Sequence, residues 1–310
     1  MAQHRWTAER IADQTGRTAL ITGANTGVGF HTAESLARRG ATVVLACRDA
    51  ERAEQAAARI RGTAPRSRVV TLPLDLAALS SVRAAADQLH TMCSELDLLI
   101  NNAGVMWAPP GRTRDGFETH LGINHLGHFA FTGLVLDLLR DTPGARIVTV
   151  TSPAHRSAQL DFDDLRFTRR YRPAAAYARS KLANLLHAHE LQRRLVASGS
   201  ALLSVAAHPG AARTELNRSM PALFRGPSWG LWRPFTHTAQ HGALPILRAA
   251  TDPEARGGEY YAPSGPGEFS GHPVVRSSSS GSHDTGAQRT LWEASEQLTG
   301  VPYDFGPSDE

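Results

Sequence analysis

Thr18-Ala-Leu-Ile-Thr22, followed by Gly23-Ala24-Asn25-Thr26-Gly27-Val28-Gly29, passes from a short apolar, β-rich run into three glycines, and Thr32 to Arg39 beyond them reads as the body of a helix closed by Gly40. The unit is strand, glycine turn, helix. It returns as Thr42–Ala46 before the alanine-rich helix Ala50–Arg61, as Val69–Leu72 before Ser80–His90, and then as the strand Leu96–Ile100. The second half continues with a long amphipathic segment from Asp115 to Leu139, a strand at Arg146–Thr151, a helix from about Ala174 to Val196 and a strand at Leu202–Ala207. Strands alternating with helices imply parallel pairing, because a right-handed crossover helix returns the chain to the same sheet. The expected fold is therefore α/β: a single doubly wound parallel sheet with helices on both faces, residues 1–310 forming one domain with its core at about 16–261.

Two segments break the alternation. Ala211 to Pro234 holds Phe224, Trp229 and Trp232 among Pro and Gly. A loop of that length and aromaticity implies a lid-like insertion near 211–235; a surface excursion packing its own rings, or a contact with another copy, is the alternative. Ser264 to Gly286 is rich in Gly, Ser and Pro and reads as a flexible surface segment, before a last helix at about 285–298.

At 41% hydrophobic and 20% charged residues, the chain of 310 has enough apolar surface for a sizeable core. Two cysteines, Cys47 and Cys93, cannot form a disulfide framework or a four-cysteine zinc site, which points to a reducing compartment. No apolar run reaches about 18 residues, so no membrane span is expected and the expected location is cytoplasmic. The net charge is +4, yet arginines alternate with acids, as in Arg48-Asp49 and Glu51-Arg52, where nucleic-acid binding needs a basic stripe. Fourteen histidines raise the question of a metal, but His187 and His189 cannot both face one ion from a helix, and none is expected. Cys47 reads as a small apolar neighbour of an adenosine-binding site rather than a nucleophile.

Glycines where a strand gives way to a helix let backbone approach a pyrophosphate, while the first free N–H groups and the dipole of the helix stabilise the anion. The second strand then ends at Ala46-Cys47-Arg48, about 20 residues on, where folds that prefer NAD place a carboxylate against the ribose 2′-hydroxyl. Arg48 stands there instead, suited to a 2′-phosphate, so NADP(H) is favoured over NAD(H). Of 33 basic residues only Lys181 is a lysine. It lies four residues after Tyr177 in a helical stretch, which puts the two side chains one turn apart on one face. An ammonium beside a phenol favours the phenolate, and the expectation is a tyrosine with lowered pKa able to act as acid and base.

With these residues in hand the chain resembles the short-chain dehydrogenase/reductase family, and within it the retinol-dehydrogenase-like branch, over roughly Gly16 to Tyr261. The resemblance implies a Rossmann-type fold with a cofactor loop at Gly23, Asn25, Thr26, Gly27, Val28 and Gly29, and with Asp75 and Leu76 against the adenine ring. It identifies Asn102, Ala103 and Gly104 with the family's loop after the fourth strand, and Pro209, Gly210 and Thr214 with the segment that meets the nicotinamide and phosphates. Its catalytic set falls on Asn124, Ser152, Tyr177 and Lys181. Pro153 replaces the small polar residue expected after the serine. His125 and His128 flank Asn124; a surface or inter-subunit position is favoured for them over the pocket wall.

The expected function is oxidoreduction between a carbonyl and an alcohol on an apolar small molecule, with Tyr177 as general acid/base. A redox-neutral epimerase or dehydratase on the same fold, and an NADP(H)-binding module without turnover, are the alternatives. The family resemblance implies a homodimer or homotetramer through the two long helices, although its branch also holds monomers.

Overall fold

The computed structural model describes residues 5–165, 167, 169, 171–212 and 237–306. Eight strands form one sheet in the order β3-β2-β1-β4-β5-β6-β7-β8. They are β1 (Thr18–Thr22), β2 (Thr42–Cys47), β3 (Val69–Pro73), β4 (Leu98–Asn101), β5 (Arg146–Val150), β6 (Leu203–Ala207), β7 (Tyr260–Pro263) and β8 (Pro273–Arg276). Every neighbouring pair is parallel except β7 and β8, which run antiparallel. The order reverses between β1 and β4, and a doubly wound sheet opens its ligand crevice at the carboxyl ends of the strands beside that reversal.

Period-two alternation sends both sets of strand side chains into apolar layers. Ala19 and Ile21 of β1, Val43 and Leu45 of β2, and Leu98 and Ile100 of β4 face one core. That core is closed by α1 (Gly27–Arg38), α2 (Ala50–Thr63) and, later in the chain, a helix at Ala239–Thr251. Leu20, Val44 and Leu99 face the opposite core. It is closed by α3 (Leu79–Met92), by residues of the segment after β4, and by the helices Pro173–Ala197 and Thr285–Thr299. Strands buried on both faces read as continuous apolar runs, which is why they are visible in the sequence.

The expected amphipathic segment Asp115–Leu139 is not one regular helix. It is α4 (Thr119–Leu121), a π-helical turn at Gly122–Leu126, α5 (Gly127–Leu134) and α6 (Asp137–Arg140). The π turn is centred on Asn124, whose side chain bonds to Val105 and Ser180. The helix at Pro173–Ala197 is α7, the one at Ala239–Thr251 is α8 and the last, Thr285–Thr299, is α9. Sequence reasoning offers no expectation for α8, whose interior Pro245 argues against a helix. The segment 264–286, read from composition as flexible, carries β8, where Tyr261 pairs with Val275 and Ala262 with Val274. Its glycines serve a turn: Gly267 and Gly271 take φ of +61° and +113° between the two strands. The expected lid residues Phe224, Trp229 and Trp232 lie outside the described residues. Among the described residues no helix is long and apolar enough to cross a membrane.

Candidate active site

The carboxyl ends of the central strands are level: Ile21 pairs with Ile100, Asn101 with Thr149, and Val150 with Ala207. The residues that follow each strand therefore converge. They line a cavity of about 980 Å³ that runs from Arg48 and Arg52 at one end to Tyr177 and Lys181 at the other.

At the first end, α1 begins at Gly27, capped by an extended Thr26 whose side chain makes no capping bond. The first N–H groups of the helix therefore remain available to an anion. A Cβ at Gly29 would lie 2.5 Å from Asn102 Nδ2 and 2.6 Å from Gly23 O, and one at Gly23 would lie 3.0 Å from Ala103 Cα. Only glycine leaves this cradle open. The Thr22 hydroxyl accepts from the backbone N–H of Asn102 and of Ala103, both at 2.9 Å, and Asn102 Nδ2 donates to Thr22 O at 2.8 Å. These bonds lock the loop after β4 to the end of β1. Asn25, Val28, Asp75, Leu76 and Gly104 also line the cavity. Glycine cradle, open helix terminus and basic far end together fit a dinucleotide.

At the other end stand Ser152, Tyr177 and Lys181, all on the cavity wall. Ser152 follows β5 and caps a short turn at Pro153–Ser157, its Oγ accepting from Ala154 N at 3.3 Å. Pro153, the departure from the family pattern, occupies the first position of that turn, where a fixed φ and a missing N–H cost nothing. Lys181 is 4% exposed and donates from Nζ to Val150 O at 3.1 Å. Burial pulls its pKa down to about 8. Its Nζ lies 5.9 Å from the Tyr177 ring centroid.

The phenol itself behaves differently from the sequence expectation. Burial raises the Tyr177 pKa, and the influence working against it is a hydrogen bond with Ser152 rather than the ammonium. Desolvation of a phenolate outweighs a cation that lies 5.9 Å from the ring centroid and makes no bond to the hydroxyl.

Asn124 is fully buried and stands behind the wall. Its Oδ1 accepts from Val105 N at 2.8 Å, while Nδ2 donates to Val105 O at 3.0 Å and Ser180 Oγ at 2.9 Å. It braces the loop after Gly104 against α7. His125 and His128 are neither on the surface nor on the cavity wall: both are buried, His125 bonded to Ser295 Oγ and His128 bridging Thr22 Oγ1 and the Asn124 carbonyl. Helical periodicity from Asn124 points them into the layer under α7 and α9. Pro209 and Gly210 line the cavity, and Thr214 lies outside the described residues. Among the described residues no group of three His, Cys, Asp or Glu is placed to hold a metal ion.

Several wall residues escaped the sequence reading. Arg52 joins Arg48, and the apolar run Val105-Met-Trp-Ala-Pro109 forms the wall beside Tyr177. Behind that run, Ala108 N donates to His120 Nε2 at 3.2 Å, His120 Nδ1 meets Glu118 Oε1 at 2.9 Å, and Tyr171 donates to Ala108 O at 3.0 Å. The position of the run directly after Asn102-Ala103-Gly104 was the available signal. Phe269, brought in from beyond β7, had none.

Comparison with known proteins agrees with this geometry. Residues 17–222 match the family model for short chain dehydrogenase. Retinol dehydrogenase 12 of Mus musculus is 41% identical over 291 residues, 93% of this chain and 88% of that protein. Among solved structures, an uncharacterised protein from Mycobacterium paratuberculosis is 42% identical with a TM-score of 0.81, covering 97% of this chain and 99% of the other. A short chain dehydrogenase from Burkholderia cenocepacia J2315, solved in complex with NADP, is 25% identical with a TM-score of 0.63, over 80% and 96% of the two chains. The chain belongs to the short chain dehydrogenase family and is a relative of the retinol dehydrogenases.

Proposed function

We propose that the protein is an NADP(H)-dependent oxidoreductase that interconverts a carbonyl and an alcohol on an apolar small molecule. The observation that carries this reading is the convergence of Ser152, Tyr177 and Lys181 on one wall of a cavity whose opposite end is a glycine cradle flanked by Arg48 and Arg52. Gly23 to Gly29 and the N-terminus of α1 would hold the pyrophosphate, Asp75 and Leu76 the adenine, and Arg48 a 2′-phosphate. A bound nicotinamide supplies hydride chemistry to this wall.

The Ser152 hydroxyl and the Tyr177 phenol donate to the substrate oxygen, a preorganised pair that stabilises negative charge developing there. A tyrosine whose pKa is raised by burial is protonated at neutral pH, the form that gives a proton to an alkoxide. Lys181, with a pKa near 8, can exchange its own proton in the same pH range and restore the phenol. Met106, Trp107 and Pro109 give the substrate end its apolar wall. The relatives that are retinol dehydrogenases agree with an apolar substrate.

The test is oxidation of NADPH by the purified protein with a panel of apolar aldehydes and ketones, followed by the reduced nicotinamide's absorbance. Tyr177→Phe is expected to lower kcat at least about 100-fold while NADPH affinity stays within about threefold. Unchanged turnover in that variant refutes the assignment.

A further inference from the structure

Glu268 carries three features that the site described above does not use. It is a non-glycine residue with φ of +60°, a backbone conformation that an L side chain adopts at a cost. It is 9% exposed although it is a carboxylate. Its two oxygens join three elements: Oε1 accepts from Arg156 Nη2 at 2.7 Å, Oε2 accepts from Tyr260 OH at 2.9 Å, and Oε2 lies 3.4 Å from His208 Nε2.

Two of these partners, Arg156 and His208, lead to different parts of the cavity wall. Arg156 belongs to the turn that begins directly after Ser152. In that turn His155 Nδ1 meets Ser152 O at 2.6 Å, and His155 Nε2 accepts from Ser279 N at 3.2 Å. His208 is fully buried and starts the turn after β6, where its Nδ1 accepts from Gly210 N at 2.8 Å. With Nδ1 accepting, a neutral ring carries its hydrogen on Nε2, on the side of Glu268. The residue after Glu268 completes the arrangement: Ala211 N donates to Phe269 O at 2.8 Å, and a Cβ at Gly210 would come within 2.6 Å of the same oxygen.

We propose that Glu268 is a positioning residue that sets the separation between Ser152 and the Pro209–Gly210 turn, and so the geometry of the reacting ensemble, from the loop between β7 and β8. The inference rests on the reading under Proposed function, in which Ser152 faces the substrate oxygen, and on the family resemblance, which identifies Pro209–Gly210 with the segment that meets the nicotinamide. Glu268 touches neither. It acts through its bond from Arg156 on one wall and through its 3.4 Å contact with His208 on the other, and its buried charge is compensated by the bonds from Arg156 and Tyr260. The strained backbone is consistent with a conformation held in place by those partners.

Glu268→Gln keeps the shape but removes the charge, and its single carbonyl oxygen can accept from Arg156 or from Tyr260, not from both. The experiment measures kcat, KM and NADPH dissociation constant for the full chain, with the concentration of sites taken from NADPH-binding stoichiometry. A 1 Å misplacement can cost about 100-fold in rate, so kcat per binding site is expected to fall at least about 10-fold while KM and NADPH affinity stay within about threefold. A kcat per site within twofold of wild type overturns the proposal, including the case where only the number of folded sites falls. Should Glu268→Gln fail to fold, Arg156→Gln cuts the same link at a side chain that is 41% exposed. A kcat loss of at least about fivefold is then expected, and an unchanged kcat overturns the proposal. If wild-type protein binds NADPH but reduces no carbonyl, the reading under Proposed function fails separately. The emission of bound NADPH then reads the turn: a shift or broadening in Glu268→Gln supports the positioning role, and an identical spectrum defeats it.

Discussion

Lys181 and Arg48 show what one cation does that another cannot. The chain uses arginine for 32 of its 33 basic positions and keeps its single lysine where burial is almost complete. A guanidinium at that depth would stay charged at any working pH, whereas the ammonium of Lys181 is drawn down to about 8 and can change its protonation near neutrality. The structure brings the two residues singled out in the sequence to one cavity wall, but the shift falls on the other member: the group whose pKa is lowered is the amine, while the phenol is raised. Arg48 illustrates the opposite use, a permanent charge at a cavity rim beside Arg52. A charge-assisted bond to a phosphate contributes about 1.5–3 kcal/mol. Arg48→Ala is therefore expected to lower kcat/KM for NADPH by about 10- to 100-fold and to leave that for NADH within about threefold, in steady-state assays with both cofactors. Equal losses for the two cofactors would place Arg48 away from the 2′ position.

Elements differ in how openly the sequence states them, and the difference has physical causes. β1, β2, β4 and β5 are buried on both faces, so their apolar runs are continuous and their order along the chain implies parallel crossovers. The glycine cradle is legible for the same kind of reason, since Gly23 and Gly29 have backbone or side-chain neighbours where a Cβ would be. The π turn at Gly122–Leu126 is not legible, because it arises from the bonds Asn124 makes to Val105 and Ser180, far apart in sequence. Pro245 hides α8, and the serine and glycine content of 264–286 hides β8. Tertiary partners decide those elements, and Phe269 reaches the cavity only because β8 folds back on β7. The cradle gives the test that belongs to this scale. Gly29→Ala forces the N-terminal turn of α1 away from Gly23 O or displaces Asn102, and is expected to destabilise the fold by about 1–3 kcal/mol and weaken NADPH binding at least about 10-fold. Gly62, near the end of α2 with nothing within 4 Å of its Cβ position, is the control. Its replacement by alanine is expected to leave binding unchanged and melting temperature equal or slightly higher.

The whole molecule carries its histidines in an unusual place. His125, His128, His155, His187 and His208 are all at most 4% exposed and come from four different stretches of chain packed around the sheet. Burial lowers every one of their pKa values, to about 4 for His128 and His155 and about 3 for His187. The unfolded chain takes up protons on these rings near pH 6.5; the folded chain takes them up at lower pH, near 4 for His128 and His155 and near 3 for His187. Their contribution to stability is therefore complete above about pH 6.5 and is lost progressively as pH falls towards 4. A shift of one pK unit corresponds to about 1.36 kcal/mol, so a histidine moved from 6.5 to 4 loses about 2 kcal/mol between pH 7 and pH 5. Two such residues acting fully already remove about 4 kcal/mol from a margin that is usually about 5–15 kcal/mol. Glu118 and Glu268, held below the usual carboxylate range by their hydrogen bonds, lose their contributions only below about pH 4.5, so the pH 7 to 5 window isolates the histidines. Urea unfolding followed by far-ultraviolet circular dichroism at the two pH values is expected to show a loss of at least about 3 kcal/mol at pH 5. In His187→Gln, which keeps a polar group beside the Tyr303 hydroxyl, that loss is expected to shrink by about 2 kcal/mol. A stability that is flat from pH 7 to 5 in the wild type would mean that the buried rings take up protons without unfolding the chain.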